Sequence, residues 1–237
     1  MTKIIGDPIG QAILDYSKSK KPADILVHSD LCDDDIIPIE VLFRTYQEMP
    51  QLEKEALTIC KGKILDVGSG AGVHASWLVS KGFQTDLLEP SLGAFEFLKA
   101  KKFNVYRQHF QDFDTEVKYD TILMLMNGIG IAGTFSNLIP FFKKVKSLLN
   151  PGGQLIFDSS DVSYLYEDED GSILFDLNSA YYGNFKFSME YKSEVGEWFD
   201  WLYVDYDSVH AIAKELGAKS EKIIEIDNHY LARIIFD

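Results

Sequence analysis

The stretch Lys63 to Gly72, K-I-L-D-V-G-S-G-A-G, constrains what this chain can fold into more than any other. Ile64-Leu65-Asp66-Val67 is a short apolar run of strand character, and it ends in glycines at alternate positions, Gly68, Gly70 and Gly72. The segment Val73 to Lys81 then reads as an amphipathic helix. Such a strand, turn and helix let backbone come close to a ligand. Glycine accepts positive φ and has no Cβ to block the approach, and the helix N-terminus behind it offers unpaired N–H groups.

From Lys63 onward, strand and helix patterns alternate, as in a parallel sheet with crossover helices. Strands are predicted at 63–67, 83–89, 104–108, 119–126 and 154–158, the fourth apolar enough (T-I-L-M-L-M) to be buried on both faces. Helices are predicted at 72–81, at 91–102 with Ser91 as cap, and at 136–149, and Asn150-Pro151-Gly152-Gly153 reads as a turn. Further on, 181–192 and 197–205 alternate aromatic and polar residues around Ser193 to Gly196, a hairpin pattern. A helix at 208–216 and strands at 223–226 and 230–236 close the chain, the last pair forced antiparallel by the turn at Asp227-Asn228.

Before Lys63, a helix is predicted over 7–21 with Asp7 as cap and Pro8 at its first position. His28 to Asp35 reads as an acidic loop, and 36–49 and 51–60 read as helical. The expected architecture is one α/β domain with a Rossmann-like, mostly parallel seven-stranded sheet and an antiparallel last strand. Residues 1–60 form an N-terminal helical extension, 61–237 the main domain, and 160–205 an inserted aromatic hairpin after the fifth strand. The length of 237 residues suits that organisation.

Formal charge is −14, with no block of Lys or Arg, so a nucleic-acid partner is disfavoured. Two cysteines, Cys32 and Cys60, have no metal-site or disulfide spacing, and no apolar run is long enough for a signal peptide or a membrane span. A cytoplasmic monomer or homodimer, without membrane partner or metal, is the expectation.

Three readings compete for the glycine turn. A Walker loop needs G-K-[ST], and no lysine follows Gly72. A dinucleotide fingerprint wants the third glycine one residue later, and a purely structural turn needs no ligand at all. The surroundings decide. Glu89 ends the second strand about twenty residues past Gly68, where a carboxylate can accept ribose hydroxyls. Asp112 follows the third strand in Q-D-F-D. With these, the N-P-G-G-Q-L-I-F turn and strand, and the antiparallel close, the chain resembles the class I S-adenosylmethionine-dependent methyltransferases over about 64–160 and, more loosely, its last helix and strands.

That resemblance implies S-adenosylmethionine as cofactor, S-adenosylhomocysteine as product, and a set of contacts. Asp66 would orient the methionine ammonium, with Gly68, Ser69, Gly70 and Gly72 lying against that end of the ligand. Glu89, with Pro90 beside it, would hold the ribose. Asp112 would meet the adenine amino group and Phe113 the ring, while Met126 and Asn127 would line the sulfonium side. Ordinary core packing is the alternative for Phe113 and Met126, and a surface charge for Glu89. His74 reads as a capping or surface residue.

The reaction implied is an in-line displacement driven mainly by orientation. No catalytic residue is legible: M-N-G-I-G stands where nucleic-acid and glutamine amino-methylating enzymes carry N-P-P-Y, and no cysteine motif replaces it. Substrate recognition is assigned to Arg44 and Tyr46 in the extension and to the hairpin aromatics Tyr181, Trp198 and Trp201, with packing of the hairpin or a dimer contact as the plainer role for those aromatics. An acidic chain with an aromatic lid suits a small neutral or cationic acceptor. A cofactor-binding scaffold without turnover, and a protein or RNA methyltransferase, are the alternatives.

Overall fold

In a computed structural model of the chain, the described residues are 6–19, 24–167 and 180–236. The end of the first predicted helix at 20–21 and residues 168–179 of the inserted segment therefore lie outside them. In chain order the elements are α1 (Pro8–Ser19), β1 (Ile25–Ser29), β2 (Asp35–Ile37), α2 (Gln51–Thr58), β3 (Ile64–Val67), α3 (Val73–Ser80), β4 (Thr85–Leu88), α4 (Leu92–Ala100), β5 (Asn104–Tyr106), β6 (Tyr119–Met124), α5 (Leu138–Leu148), β7 (Leu149–Ser160), β8 (Asn184–Tyr191), β9 (Glu194–Val195), β10 (Phe199–Leu202), α6 (Tyr206–Glu215), β11 (Lys219–Ile226) and β12 (His229–Ile235).

The larger sheet has seven strands in the order β11-β12-β7-β6-β3-β4-β5. β3, β4, β5, β6 and β7 pair in parallel, and β12 runs antiparallel to both β7 and β11. The central strands are apolar on both faces because helices cover both. One face packs Leu65, Ile122, Phe157 and Tyr230 under α5 and α6. The other packs Ile64, Leu123, Ile156 and Leu231 under α2 and α3. The N-P-G-G turn is not a separate connection. It is an irregularity within β7, so that Tyr119 pairs Leu149 while Thr121 pairs Gln154, and Gly152 takes positive φ there.

The N-terminal extension departs from the sequence reading. It is not wholly helical: β1 runs into the expected loop at 28–35, and the rest of 28–49 contains β2 and two 3₁₀ turns, Ile39–Phe43 and Tyr46–Glu48. β1 and β2 join the hairpin strands in a second, antiparallel sheet, β10-β8-β1-β2, with β9 also on β8. The reason is non-local. I-L-V-H-S has no period of its own, and it becomes a strand through its ladder with β8 (Val27 opposite Met189). The hairpin turn also tightens to Lys192-Ser193, Lys192 in the left-handed region at φ 56°. No helix among the described residues is long and apolar enough to cross a membrane.

Candidate functional site

The carboxyl ends of β3, β4 and β6 converge on the glycine turn. Ser69 is buried and gives its hydroxyl to the Asp66 carbonyl at 2.8 Å, closing the turn on itself. The two later glycines face different things. A Cβ on Gly70 (φ +53°) would meet nothing within 4 Å, so its backbone borders open space. A Cβ on Gly72 (φ +75°) would strike Leu98 of α4 at 2.7 Å. Gly72, expected to lie against a ligand, packs towards α4 at that position, and it starts α3 as the residue before the first helical turn.

Asp66 is sealed, and its Oδ2 has no hydrogen-bond partner. Burial pushes this carboxyl up to about 6, opposed by His74 and by the Ala75 N–H. An orphaned buried acceptor on the strand that leads into an uncovered backbone ledge fits an ammonium-bearing ligand. Glu89 is likewise buried, against the alternative of a surface charge. Its Oε2 accepts the Gly70 N–H at 2.7 Å and its Oε1 the Ser91 N–H at 2.9 Å. Burial raises it to about 7; the N–H groups of Ser91 and Gly70 pull the other way, and Asp7 and Asp66 add repulsion. Each oxygen keeps a lone pair for a hydroxyl donor.

The N-terminus of α1 covers this carboxylate. Asp7 Oδ1 caps its own helix through the Gly10 N–H at 3.0 Å, while Oδ2 accepts from the Ser91 hydroxyl and the Gly93 N–H, both at 2.9 Å. One aspartate thus ties the starts of two helices together beside Glu89. Pro90 is exposed between them.

Asp112 lies exposed in the 3₁₀ turn Phe110–Asp112 beyond β5. Phe113, expected beside a ligand ring, is 1% exposed and packs in the core, its ring 5.2 Å from that of Tyr106. The core reading holds there because the aromatic follows the turn inward. Past β6, Met126 and Asn127 are consecutive non-glycine residues at positive φ, 67° and 55°. Left-handed backbone at two such residues is strained and needs outside support. Asn127 Oδ1 accepts from the Ser160 hydroxyl at 3.0 Å, and the Gly128 N–H donates to Asp158 Oδ1 at 3.2 Å. Met126 is half-buried against the cluster of Ile39, Leu42 and Ala71.

The residues assigned to substrate sort into two groups. Trp201 is half-buried, and its indole lies flat on Gly130, where a Cβ would sit 2.2 Å from it. That brings the hairpin onto the loop after β6. Trp198 is 55% exposed, and Tyr181 stacks on Phe135 at 4.3 Å with its hydroxyl on Asp205. Arg44 and Tyr46, by contrast, do not present polar groups to a cleft. Arg44 is buried in an ion pair with Glu53, and Tyr46 stacks on Trp77 of α3 at 4.9 Å.

Two histidines were given no site role from the sequence, His74 being read as a capping or surface residue. His74 is buried, not at the surface, and its Nε2 lies 2.9 Å from Glu53 Oε2. Its place in the first turn of α3, just past the glycines, was the available signal. His229 opens β12, its Nε2 2.8 Å from Asp158 Oδ2, so Asp158 bridges this imidazole and the loop after β6. No local pattern links Asp158 to His229; only the β7–β12 register does.

A family model described as a methyltransferase domain matches residues 39–211. No curated protein matches the chain. Among solved structures, a SAM-dependent methyltransferase from Bacteroides fragilis in complex with S-adenosyl-L-homocysteine is 42% identical, covering 97% of this chain and 94% of that one with a TM-score of 0.90. The CcbJ methyltransferase from Streptomyces caelestis is 15% identical (80% and 93% covered, TM-score 0.61). CalS10, an amino pentose methyltransferase from Micromonospora echinaspora, is 14% identical (83% and 95% covered, TM-score 0.55). The last two show a shared fold alone. With the family matched over most of its length, this chain belongs to the methyltransferase-domain family, as an S-adenosylmethionine-dependent methyltransferase.

Proposed function

We propose that the chain methylates a small-molecule acceptor, with the cofactor on the ledge formed by Gly68, Ser69 and Gly70. The observation that carries this reading is the buried Asp66 Oδ2 without a partner on the strand that leads into the open space at Gly70. When bound, S-adenosylmethionine supplies a methyl group on a sulfonium, open to in-line displacement by a nucleophile. The chain's own residues bind, orient and exclude water. Asp66 receives the ammonium, Glu89 the ribose hydroxyls and Asp112 the adenine amino group, while Met126 and Asn127 border the methionine end. Ser160 and Asp158 hold that strained corner in place, which is the kind of preorganisation that lets orientation supply rate.

Trp201 over Gly130 roofs the loop after β6 and shields it from solvent. His229, oriented by Asp158, is a group at the strand ends able to take a proton from an acceptor that arrives protonated. The net charge of −14 and the aromatic hairpin favour a neutral or cationic acceptor over a polyanion. Calorimetric titration with S-adenosylmethionine and S-adenosylhomocysteine tests the cofactor seat: binding by the wild type and loss in Glu89→Ala are expected, and equal binding by the variant would sink the assignment. Labelled methyl released into a metabolite extract then tests turnover. Binding without transfer would leave the chain a cofactor-binding module.

A further inference from the structure

Asp66 is the end of a row of buried ionisable side chains. Arg44 donates from its guanidinium to both Glu53 oxygens and to the Val41 carbonyl. Glu53 Oε2 meets His74 Nε2 at 2.9 Å; the next residue of α3, Ala75, gives its N–H to the Asp66 carboxyl, on which His74 bears as an opposing charge. The side chains of Arg44, Glu53 and His74 are only 8%, 7% and 7% exposed. Burial works against ionised Glu53, yet His74 and Arg44 hold it below the usual carboxylate range. Among the described residues, the buried side-chain polar atoms without a partner include both ends of the row, Arg44 Nε and Asp66 Oδ2.

The row crosses three elements: the 3₁₀ segment before Arg44, α2, and the first turn of α3. A buried ion pair is a poor device for stability, since apolar residues of the same volume usually do as well. A row that ends at the floor of a ligand ledge answers a different need. Burial works against a charge on Asp66, and its own negative charge in turn raises Glu89 across the turn and the Cys60 thiol just past α2. Among its charged neighbours, His74 is the counterweight.

We propose that Arg44, Glu53 and His74 are positioning residues of the cofactor seat: the row puts positive charge behind Asp66, readies its carboxylate for the methionine ammonium, and makes docking of the 39–48 segment a condition of cofactor binding. This rests on the cofactor reading above. Arg44 thereby acts on the cofactor side, through Glu53 and His74, and not on the acceptor.

The test is calorimetric titration with S-adenosylmethionine and S-adenosylhomocysteine across pH. His74→Gln keeps a donor for Glu53 and removes the imidazole. It is expected to bind about fivefold more weakly near pH 6, where Asp66 titrates, since a rise of about one pKa unit takes its carboxyl from about half to about a tenth ionised. By about pH 8.5 its affinity returns towards wild type, because Asp66 ionises in either protein. The paired variant Arg44→Met/Glu53→Leu leaves no carboxylate or guanidinium of the pair unmatched, so it folds, and the same pH-dependent loss is expected. Wild-type affinity near pH 6 in His74→Gln, or one constant factor of loss at every pH, overturns the row and leaves the cofactor seat standing. A wild type that binds neither ligand at any pH overturns the seat itself.

Discussion

Gly70 and Gly72 stand one residue apart, both left-handed, with opposite surroundings: open space at one and the Leu98 methyl at the other. Gly72→Ala adds overpacking to backbone strain, and a loss of about 2–4 kcal/mol in chemical denaturation is expected. Gly70→Ala carries the backbone strain alone, about 1–2 kcal/mol. Its main effect is expected in S-adenosylhomocysteine affinity, because the new methyl occupies the ledge. If Gly70→Ala bound as tightly as wild type, the ledge would not be where the ligand lies.

Glu89 and Asp66 carry a pH signature at the same scale. Their ordinary values are 4.5 and 3.8, and the fold raises them to about 7 and about 6. The folded state therefore holds protons that the unfolded chain gives up. The stabilisation from these two acids is complete below about pH 4, declines as pH rises, and is gone once pH passes 7. Ribose hydroxyls and an ammonium favour the ionised forms. Binding near pH 6.5 is thus expected to release a fraction of a proton up to about one proton, read by titration in two buffers of different protonation enthalpy. Proton uptake there would contradict the seats assigned to both carboxylates.

At the scale of elements, α1 and α4 meet start to start through Asp7, and Gly93 lies so close that a Cβ would fall 2.4 Å from the Gly10 carbonyl carbon. Asp7→Ala uncaps two helix starts at once, and a loss of about 1–2 kcal/mol is expected, measured as a lowered melting point. The hairpin offers a sharper contrast. Trp201 lies on Gly130 and Trp198 faces solvent, so Trp201→Ala is expected to lower methyl transfer at least about tenfold through lost positioning, with Trp198→Ala close to wild type. Equal effects would return both residues to mere packing.

Across the whole molecule, the seven-stranded sheet was legible in the sequence because each strand carries its own signal: an apolar run, a turn and a helix cap within a few residues. Asp66 and Glu89 were legible for the same reason, each ending a readable strand. The second sheet was not, since I-L-V-H-S and N-F-K-F-S-M-E-Y are strands largely by virtue of each other. His74 and Arg44 were misread because burial is a property of assembly; a polar residue after a glycine turn reads as exposed until α2 is laid over it. The burial of Phe113 was hidden on similar grounds, its side chain packing in the core against Tyr106.

The ladder between β1 and β8 joins residues such as His28 and Glu190, separated by 162 positions. On a ribosome emitting the chain from its N-terminus, β1 waits through synthesis of the entire cofactor-binding strand set before its partner exists. The first strand made is then among the last to find its place, since closing so long a loop is slow. The parallel strands β3 to β7 of the larger sheet can pair beforehand from their own local signals, before β12 and β11 are added to its edge. The second sheet, which carries Trp201 onto Gly130, is thus a late seal: the roof over the loop after β6 can close only once the chain has been made through β10.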